Sequence, residues 1–311
     1  MNIIDIGSGP AVVLIPGIQG RWEWMRPAVN SLSKHCRVIT FSLADERTSG
    51  TWFGAFDEAT GFNCYVEQVR QALDAVGIES AAICGVSYGG LIAAAFAARY
   101  PRRTTCAVLV SALPPSWTPS ARVRFYLRSP RLLSPLFCIG ALRMYPEIAA
   151  ASRTVSPGIA GGTHRGIGGS LNGMGATMRI GWNAVTHMFS PSRMARRVRL
   201  VASLDLRSEL AAVQPRVLIM TGEERLDRVV PTDATREYAR LWPQSAIVTL
   251  ERTGHIGLIT RPSAFAALVA DFVTASDCDD KSTHISPSGP EPVGGNLTPA
   301  TGIIPGERRV G

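Results

Sequence analysis

Ser87 is the first residue whose type and surroundings could support chemistry. It lies between two glycines in Gly85-Val86-Ser87-Tyr88-Gly89, after a short apolar run and before an Ala-rich stretch that stops at Pro101. The serine is therefore expected where a strand passes into a helix. A Gly-x-Ser-x-Gly sequence in that setting predicts a nucleophile elbow, in which a sharp turn exposes the serine at the carboxyl end of a sheet. An ordinary tight turn is the alternative interpretation.

A serine nucleophile needs a general base, and His255 is the best placed histidine. It directly follows the last predicted strand (246–251) and precedes the last predicted helix (261–276). The other histidines are expected in an early loop, in the middle of the chain and in the tail: His35, His164, His187 and His284. Only His255 is thus expected at the carboxyl edge of the sheet, although it could also be a plain loop histidine.

The base in turn needs an orienting acid, which we look for after the predicted strand 216–222. Three carboxylates follow that strand, namely Glu223, Glu224 and Asp227. Any of them completes the chain order serine, acid, histidine, and any of them could instead be a surface charge. The loop after the predicted strand that ends at Leu113 is another place for such an acid, but it begins PPSW and has no carboxylate.

Two backbone N–H groups are expected to stabilise the oxyanion that a serine attack creates. One belongs to Tyr88, the residue after the nucleophile, at the start of the predicted helix. The other is assigned to Ile18, because Gly17 allows a close approach of the loop that follows an early strand. An ordinary Gly-rich turn is again the alternative.

The elements that must position these residues alternate between strands and helices. The predicted strands occupy 11–17, 37–43, 81–87, 105–113, 216–222 and 246–251, and the predicted helices occupy 21–34, 62–77, 88–100, 232–242 and 261–276. Apolar strands that alternate with helices form parallel sheets covered on both faces. The sequence therefore predicts one α/β core made of residues 1–113 and 205–276.

Residues 114–204 interrupt this alternation and carry the excess positive charge of the chain. The net charge is +8, and residues 116–204 contain twelve arginines but one acid, Glu147. Arg124, Arg128 and Arg131 recur at helical spacing, so Val123, Tyr126 and Leu127 should face the other way. An apolar underside is expected from Trp117, Phe125, Leu133, Phe137 and Met144.

The arginine face is predicted to be a solvated surface over an apolar core. Weak contact with an anionic membrane surface, or attraction of an acidic substrate, is the alternative. Nucleic-acid binding is not expected, because basic and aromatic residues are not interleaved on a recognisable module.

The remaining features place the protein among cytoplasmic globular proteins. No signal-peptide pattern opens the chain and no apolar run reaches the length of a membrane helix. The six cysteines are scattered and are expected to be buried free thiols, and neither they nor the histidines have metal-ligand spacing. The tail, residues 277–311, is rich in Pro, Gly, Ser and Thr and is predicted to be disordered.

Taken together, these motifs resemble the α/β-hydrolase superfamily, in its esterase, lipase and enol-lactonase-like branch. The resemblance covers about residues 3–274 and rests on four sequences: LIPGIQG (14–20), GVSYGG (85–90), DRVVP (227–231) and GHIGLITRP (254–262). The family usually has Gly-x-x-Asp-x-x-Val-Pro at the acid. Here Asp227 matches, but its spacing from Gly222 is two residues longer, so Glu224 stays as an alternative. SLADERTSG (42–50) replaces an Asp-x-Arg-Gly-x-Gly-x-Ser loop of many members.

The resemblance implies an α/β-hydrolase fold, with a mostly parallel sheet, helices on both faces and a helical lid inserted at 114–204. It implies hydrolysis of a small-molecule ester or related acyl bond by Ser87, Asp227 and His255 through an acyl-enzyme, with the amides of Ile18 and Tyr88 as the oxyanion hole. No cofactor and no metal are implied. Alternatives are a cofactor-free perhydrolase, a carbon–carbon bond hydrolase, an acyltransferase, or a non-catalytic ligand-binding protein of the same fold. The oligomeric state is left open.

Overall fold

One sheet organises the part of the chain that the computed structural model describes, which is residues 2–46, 49, 61–130, 147 and 190–282, with the backbone alone for 276–282. Its strands are β1 (Ile3–Ile6), β2 (Ala11–Ile15), β3 (Arg37–Phe41), β4 (Ala81–Val86), β5 (Thr104–Val110), β6 (Val217–Thr221) and β7 (Ala246–Thr249). They are arranged in the order β1-β3-β2-β4-β5-β6-β7. Strand β1 is antiparallel to β3, and all other neighbouring pairs are parallel. The predicted mostly parallel sheet is therefore confirmed.

Most helices lie between strands along the chain, and the last two follow β7. The helices are α1 (Arg26–Leu32), α2 (Asn63–Ala75), α3 (Tyr88–Arg99), α4 (Ala121–Arg128), α5 (Pro191–Ala202), α6 (Arg207–Ala211), α7 (Thr232–Thr235), α8 (Tyr238–Leu241), α9 (Gly257–Thr260) and α10 (Pro262–Ser282), with 3-10 turns at Trp22–Met25 and Pro101–Arg103. The single helix predicted over 232–242 is thus two short helices. The last helix runs to Ser282, into the segment predicted to be disordered, and the rest of that tail lies outside the described residues.

The sheet is covered on both faces because its inner strands are apolar on both sides. In β2, Val13 and Ile15 belong to the cluster that includes α2 and α3, while Val12 and Leu14 belong to the cluster that includes α1 and α10. Every residue of β4 is buried. Two buried faces hold the sheet rigidly, so the loops at its carboxyl edge start from fixed positions.

Two described helices lie in the segment 114–204, α4 near its beginning and α5 near its end. Val123, Tyr126 and Leu127 of α4 line a cavity, together with Trp117, in agreement with the predicted apolar underside. Phe125 was wrongly assigned to that underside, because its side chain is about half exposed. Arg131, Leu133, Phe137 and Met144 lie outside the described residues.

Four of the six cysteines are buried free thiols, as predicted: Cys36, Cys64, Cys84 and Cys106. Burial raises the pKa of the Cys64 thiol to about 12. Within the described ranges, no helix is long and apolar enough to cross a membrane.

Candidate active site

Ser87 lies in a sharp turn between β4 and α3. Its backbone has φ of 54° and ψ of −114°, a conformation that side-chain-bearing residues rarely adopt. Such strain persists where neighbours fix it. Here the Ser87 N–H donates to the Val110 carbonyl at 2.8 Å, and the Leu113 N–H donates to the Ser87 carbonyl at 3.2 Å. The turn is thus held against the end of β5.

The glycines around Ser87 are required by close backbone approach. A Cβ at Gly85 would lie 2.1 Å from the Gly89 carbonyl oxygen, and one at Gly89 would lie 2.6 Å from the Ile15 carbonyl oxygen. No side chain fits at either place. The structure therefore shows the sharp strand-to-helix turn predicted from the sequence, and not a plain surface turn.

Asp227 and His255 are brought together from the loops that follow β6 and β7. The Asp227 Oδ2 lies 3.4 Å from the His255 Nδ1. The Asp227 Oδ1 accepts from the N–H groups of Val229 and Val230, each at 3.0 Å. Burial disfavours the charged carboxylate, but His255 and the two N–H groups outweigh it, and the pKa of Asp227 is lowered. The acid is thus oriented and ionised beside the imidazole.

The two glutamates that were alternatives to Asp227 lie elsewhere. Glu224 is exposed. Glu223 accepts from Arg225 Nε at 2.7 Å and from the Arg252 N–H at 2.6 Å. Geometry therefore favours Asp227 as the partner of His255, and Glu223 as a link between the two loops.

These two loops are packed together directly. The Glu223 N–H donates to the Thr253 carbonyl at 2.7 Å. A Cβ at Gly254 would lie 2.5 Å from the Leu226 carbonyl oxygen. The backbones on either side of the Asp227–His255 contact are thus in contact themselves, which fixes the separation of acid and base.

Ser87 and His255 both emerge at the carboxyl edge of the sheet and are both nearly buried, at 7% and 9% exposure. Among the described residues, no hydrogen bond joins their side chains. Catalytic hydrogen bonds are often long before substrate binds, so this geometry is compatible with a serine–histidine pair.

The predicted oxyanion donors lie beside Ser87. The turn of residues 17–20, here called the oxyanion turn, is closed by a bond from the Gly20 N–H to the Gly17 carbonyl at 2.9 Å. A Cβ at Gly17 would lie 3.6 Å from the Ser87 Cβ. Within the described ranges, the N–H groups of Ile18 and Tyr88 make no hydrogen bond, so both are available to a ligand.

A cavity of about 380 Å³ opens at Ser87, Ile18 and Tyr88. Its described lining is uncharged: Leu113, Trp117, Thr118, Ser120, Val123, Tyr126, Leu127, Pro130, Pro191, Met194, Ala195, Val198, Val201, Val229, Val230 and Pro231. The arrangement can hold an apolar group against the Ser87 hydroxyl. In the described part of the chain, no group of three His, Cys, Asp or Glu side chains could hold a metal ion.

Two ionisable residues at the site were not predicted from the sequence. Glu147 is fully buried, and its two carboxylate oxygens both accept from the Ile256 N–H at 3.1 Å, next to His255. Arg197 of α5 is also fully buried and donates to the Ile18 carbonyl at 2.7 Å. Glu147 had one signal, since it is the one acid among the twelve arginines of 116–204. No signal in the sequence distinguishes Arg197 from the other three arginines of the same helix.

Known proteins match this chain in family and in fold. Residues 12–268 match the model of the alpha/beta hydrolase family. A 2-hydroxy-6-oxo-2,4-heptadienoate hydrolase of Pseudomonas putida F1 is 26% identical over 285 residues, which is 89% of this chain and 93% of that protein.

Solved structures show the same fold. An enol-lactonase from Burkholderia xenovorans LB400 has a TM-score of 0.66 at 20% identity and covers 88% of this chain and 96% of its own. A thermophilic esterase from Thermogutta terrifontis has a TM-score of 0.64 at 18% identity and covers 88% of this chain and 93% of its own. With a family match over most of its length and the fold of these enzymes, the chain belongs to the alpha/beta hydrolase family.

Proposed function

We propose that this hydrolase is a serine hydrolase that cleaves a carboxylic ester, or a related acyl bond, of a neutral apolar substrate. One observation carries the proposal: Ser87, held in its strained turn, opens onto an apolar cavity together with the free N–H groups of Ile18 and Tyr88. A hydroxyl, two oxyanion donors and an apolar wall are what acyl transfer requires.

The proposed mechanism uses each of these groups in turn. His255 takes the proton of the Ser87 hydroxyl as Oγ attacks the substrate carbonyl carbon, and the carbonyl oxygen becomes an oxyanion that accepts from Ile18 and Tyr88. Asp227 keeps the His255 Nδ1 as a donor and stabilises the imidazolium. The imidazolium gives its proton to the oxygen of the leaving alcohol as the ester C–O bond breaks. The acyl group stays bound to Ser87 as an acyl-enzyme. Water, deprotonated by His255, then attacks the acyl group and releases Ser87 and a carboxylic acid.

The lining of the cavity supports an uncharged acyl group. Its described side chains are apolar or hydroxyl-bearing, and none carries a charge. A carboxylate moved from water into such surroundings without a cation costs several kcal/mol. Each methylene that leaves water gains about 0.8 kcal/mol. A neutral hydrocarbon chain therefore suits this cavity better than an acid does.

Carbon–carbon bond hydrolysis is the second candidate, and the relative from Pseudomonas putida supports it. The substrate in the name of that relative, a 2-hydroxy-6-oxo-2,4-heptadienoate, is a carboxylate with no ester bond. The same serine, acid and histidine could act on such a compound. The uncharged described lining argues for the ester here.

Two matched esters test the proposal. The 4-nitrophenyl esters of butanoic acid and of succinic acid have acyl chains of equal length, but the second ends in a carboxylate. We expect kcat/KM for the butanoyl ester to exceed that for the hemisuccinyl ester by about 100-fold, from a penalty of roughly 3 kcal/mol for the buried charge. Ser87→Ala should lower kcat by at least ~10⁴-fold. The proposal would be contradicted by a preference for the hemisuccinyl ester, or for 2-hydroxy-6-oxo-2,4-heptadienoate assayed beside the two esters. An active Ser87→Ala variant would contradict it too.

We also propose that residues 114–204 form the lid over this cavity, since α4 and α5 of that segment supply much of its wall. Cytoplasmic location, the absence of nucleic-acid binding and the solvated arginine face stay predictions from the sequence.

A further inference from the structure

Arg197 is a fully buried cation whose partners lie on two core loops. Its Nη2 donates to Glu46 Oε1 at 2.7 Å and also to Asp45 Oδ1, and its Nη1 donates to the Ile18 carbonyl at 2.7 Å. Burial lowers the pKa of a guanidinium, but the two carboxylates outweigh this and raise it. The cation is therefore permanently charged and fully compensated, with one donor directed at a backbone carbonyl.

The carbonyl that Arg197 binds belongs to the residue whose N–H is proposed to bind the oxyanion. The oxyanion turn is tied to the core at its far end by a bond from the Leu43 N–H to the Gly20 carbonyl at 2.7 Å. Arg197 ties it at Ile18. With both ends held, the backbone dihedrals of Ile18 are restricted, and so is the direction of its N–H.

Gly20 makes room for this contact. It has φ of +76°, and a Cβ there would lie 2.3 Å from the guanidinium. The oxyanion turn and the guanidinium are thus in contact through two residues, Ile18 and Gly20.

Arg193, a neighbouring arginine of α5, serves as a comparison for Arg197. Arg193, one turn earlier on α5, pairs with the Glu46 Oε2 at 3.0 Å and is a quarter exposed. It shares the helix and the acidic partner of Arg197, but within the described residues its guanidinium donates to Glu46 and not to Ile18. It therefore supplies a matched control.

Helix α5 joins the oxyanion turn to the substrate cavity. Met194, Ala195, Val198 and Val201 of this helix line the cavity, while Arg197 binds Ile18. We propose that Arg197 is a positioning residue that holds the oxyanion turn in its active geometry from the helix that walls the cavity. The inference rests on the proposed serine-hydrolase function.

Arg197→Lys tests this inference, because a lysine ammonium can keep the charge but cannot span Ile18 and both carboxylates as a planar guanidinium does. Loss of one oxyanion donor lowers kcat by about 10²–10³-fold in enzymes that use such donors. We expect a misaligned donor to lower kcat by about 10–100-fold, with KM changed less than ~3-fold. Arg193→Lys should keep kcat within ~2-fold of wild type.

A trifluoromethyl ketone distinguishes a positioning role of Arg197 from a purely structural one. Its carbonyl carbon bonds to Ser87 Oγ, the hydroxyl proton passes to His255, and the ketone oxygen becomes an oxyanion that needs the same two N–H donors. Its affinity for Arg197→Lys should fall in parallel with kcat, while the affinity of the matching uncharged alcohol should not. If Arg197→Lys does not fold, as judged by circular dichroism, the variant Arg197→Met, Asp45→Asn, Glu46→Gln removes the charges together and is measured instead.

The outcomes are distinct. A folded variant with wild-type kcat, or one whose kcat falls while the affinity for the ketone stays unchanged, overturns the positioning role and leaves the proposed function intact. If wild-type protein neither binds the ketone nor reacts with a fluorophosphonate, the proposed function fails and the inference fails with it.

Discussion

At the scale of single residues, the site depends on the two Asp227 carboxylate oxygens having different hydrogen-bond partners. Oδ1 accepts from the Val229 and Val230 N–H groups, which leaves Oδ2 directed at the His255 Nδ1. Carboxylates that accept backbone N–H bonds in this way are held in one rotamer. The side chain is 1% exposed, so water does not compete for either oxygen.

Asp227→Asn should therefore keep the fold and lose the reaction. The amide oxygen can still accept from the two N–H groups, but the amide NH₂ then faces His255. The imidazole would have to accept at Nδ1 and carry its proton at Nε2, the wrong tautomer for a base. We expect kcat for an ester to fall by about 10³–10⁴-fold, with little change in the thermal midpoint.

Glu224→Gln is the control for this measurement, because Glu224 is exposed on the same loop. Its kcat should stay within about twofold of wild type, as for most exposed substitutions away from special features. An inactive Glu224→Gln variant beside an active Asp227→Asn variant would mean that the wrong carboxylate has been assigned.

At the scale of elements, the strands and turns of the site were predictable because their local patterns are strong. The apolar run before Ser87, the glycines around it and the Ala-rich helix after it all indicate the same turn, and the structure shows it. Strand β1 was missed because it is a short, half-exposed edge strand. The break between α7 and α8 carries no Gly or Pro that would have marked it.

Contacts between distant elements could not be predicted in the same way. Arg197 meets Ile18 from 179 residues away, and Glu147 meets Ile256 from 109 residues away. Which arginine of an amphipathic helix turns inward depends on how that helix packs, and a single chain does not encode this as a local pattern. The sequence SLADERTSG (42–50), which replaces a loop common in the family, has a role that only the structure shows. Its Asp45 and Glu46 are the partners of Arg197.

At the scale of the whole molecule, the segment 114–204 is tied to both halves of the candidate site. Arg197 binds the oxyanion turn, and Glu147 binds the backbone beside His255. Both residues are fully buried. The stability of the protein and the geometry of the site therefore depend on the same two buried ionisable side chains.

Glu147 should make stability fall as pH rises. Burial raises its pKa from 4.5 to about 7, against the N–H groups of Gly254 and Ile256 and the charge of His255. Between these values the folded state holds a proton that the unfolded chain has lost, so this contribution to the free energy of unfolding declines as pH rises from about 4.5 to 7. At 1.36 kcal/mol per pKa unit, the decline is about 3 kcal/mol.

Glu147→Gln removes this titration and keeps the shape of the side chain. Urea unfolding of wild type and variant at pH 5 and pH 8 should show the variant gaining stability relative to wild type at the higher pH. Parallel pH profiles for the two proteins would show that Glu147 does not titrate in this window.

The central claim is that Ser87 is an activated nucleophile, and a fluorophosphonate tests it most directly. Intact-protein mass spectrometry should find one phosphonyl adduct on the wild-type protein, and peptide mapping should place it on Ser87. Ser87→Ala should show no adduct, and His255→Gln should react at least ~10²-fold more slowly because the base is missing. A folded wild-type protein that forms no adduct, or an adduct that persists in Ser87→Ala, would contradict the account.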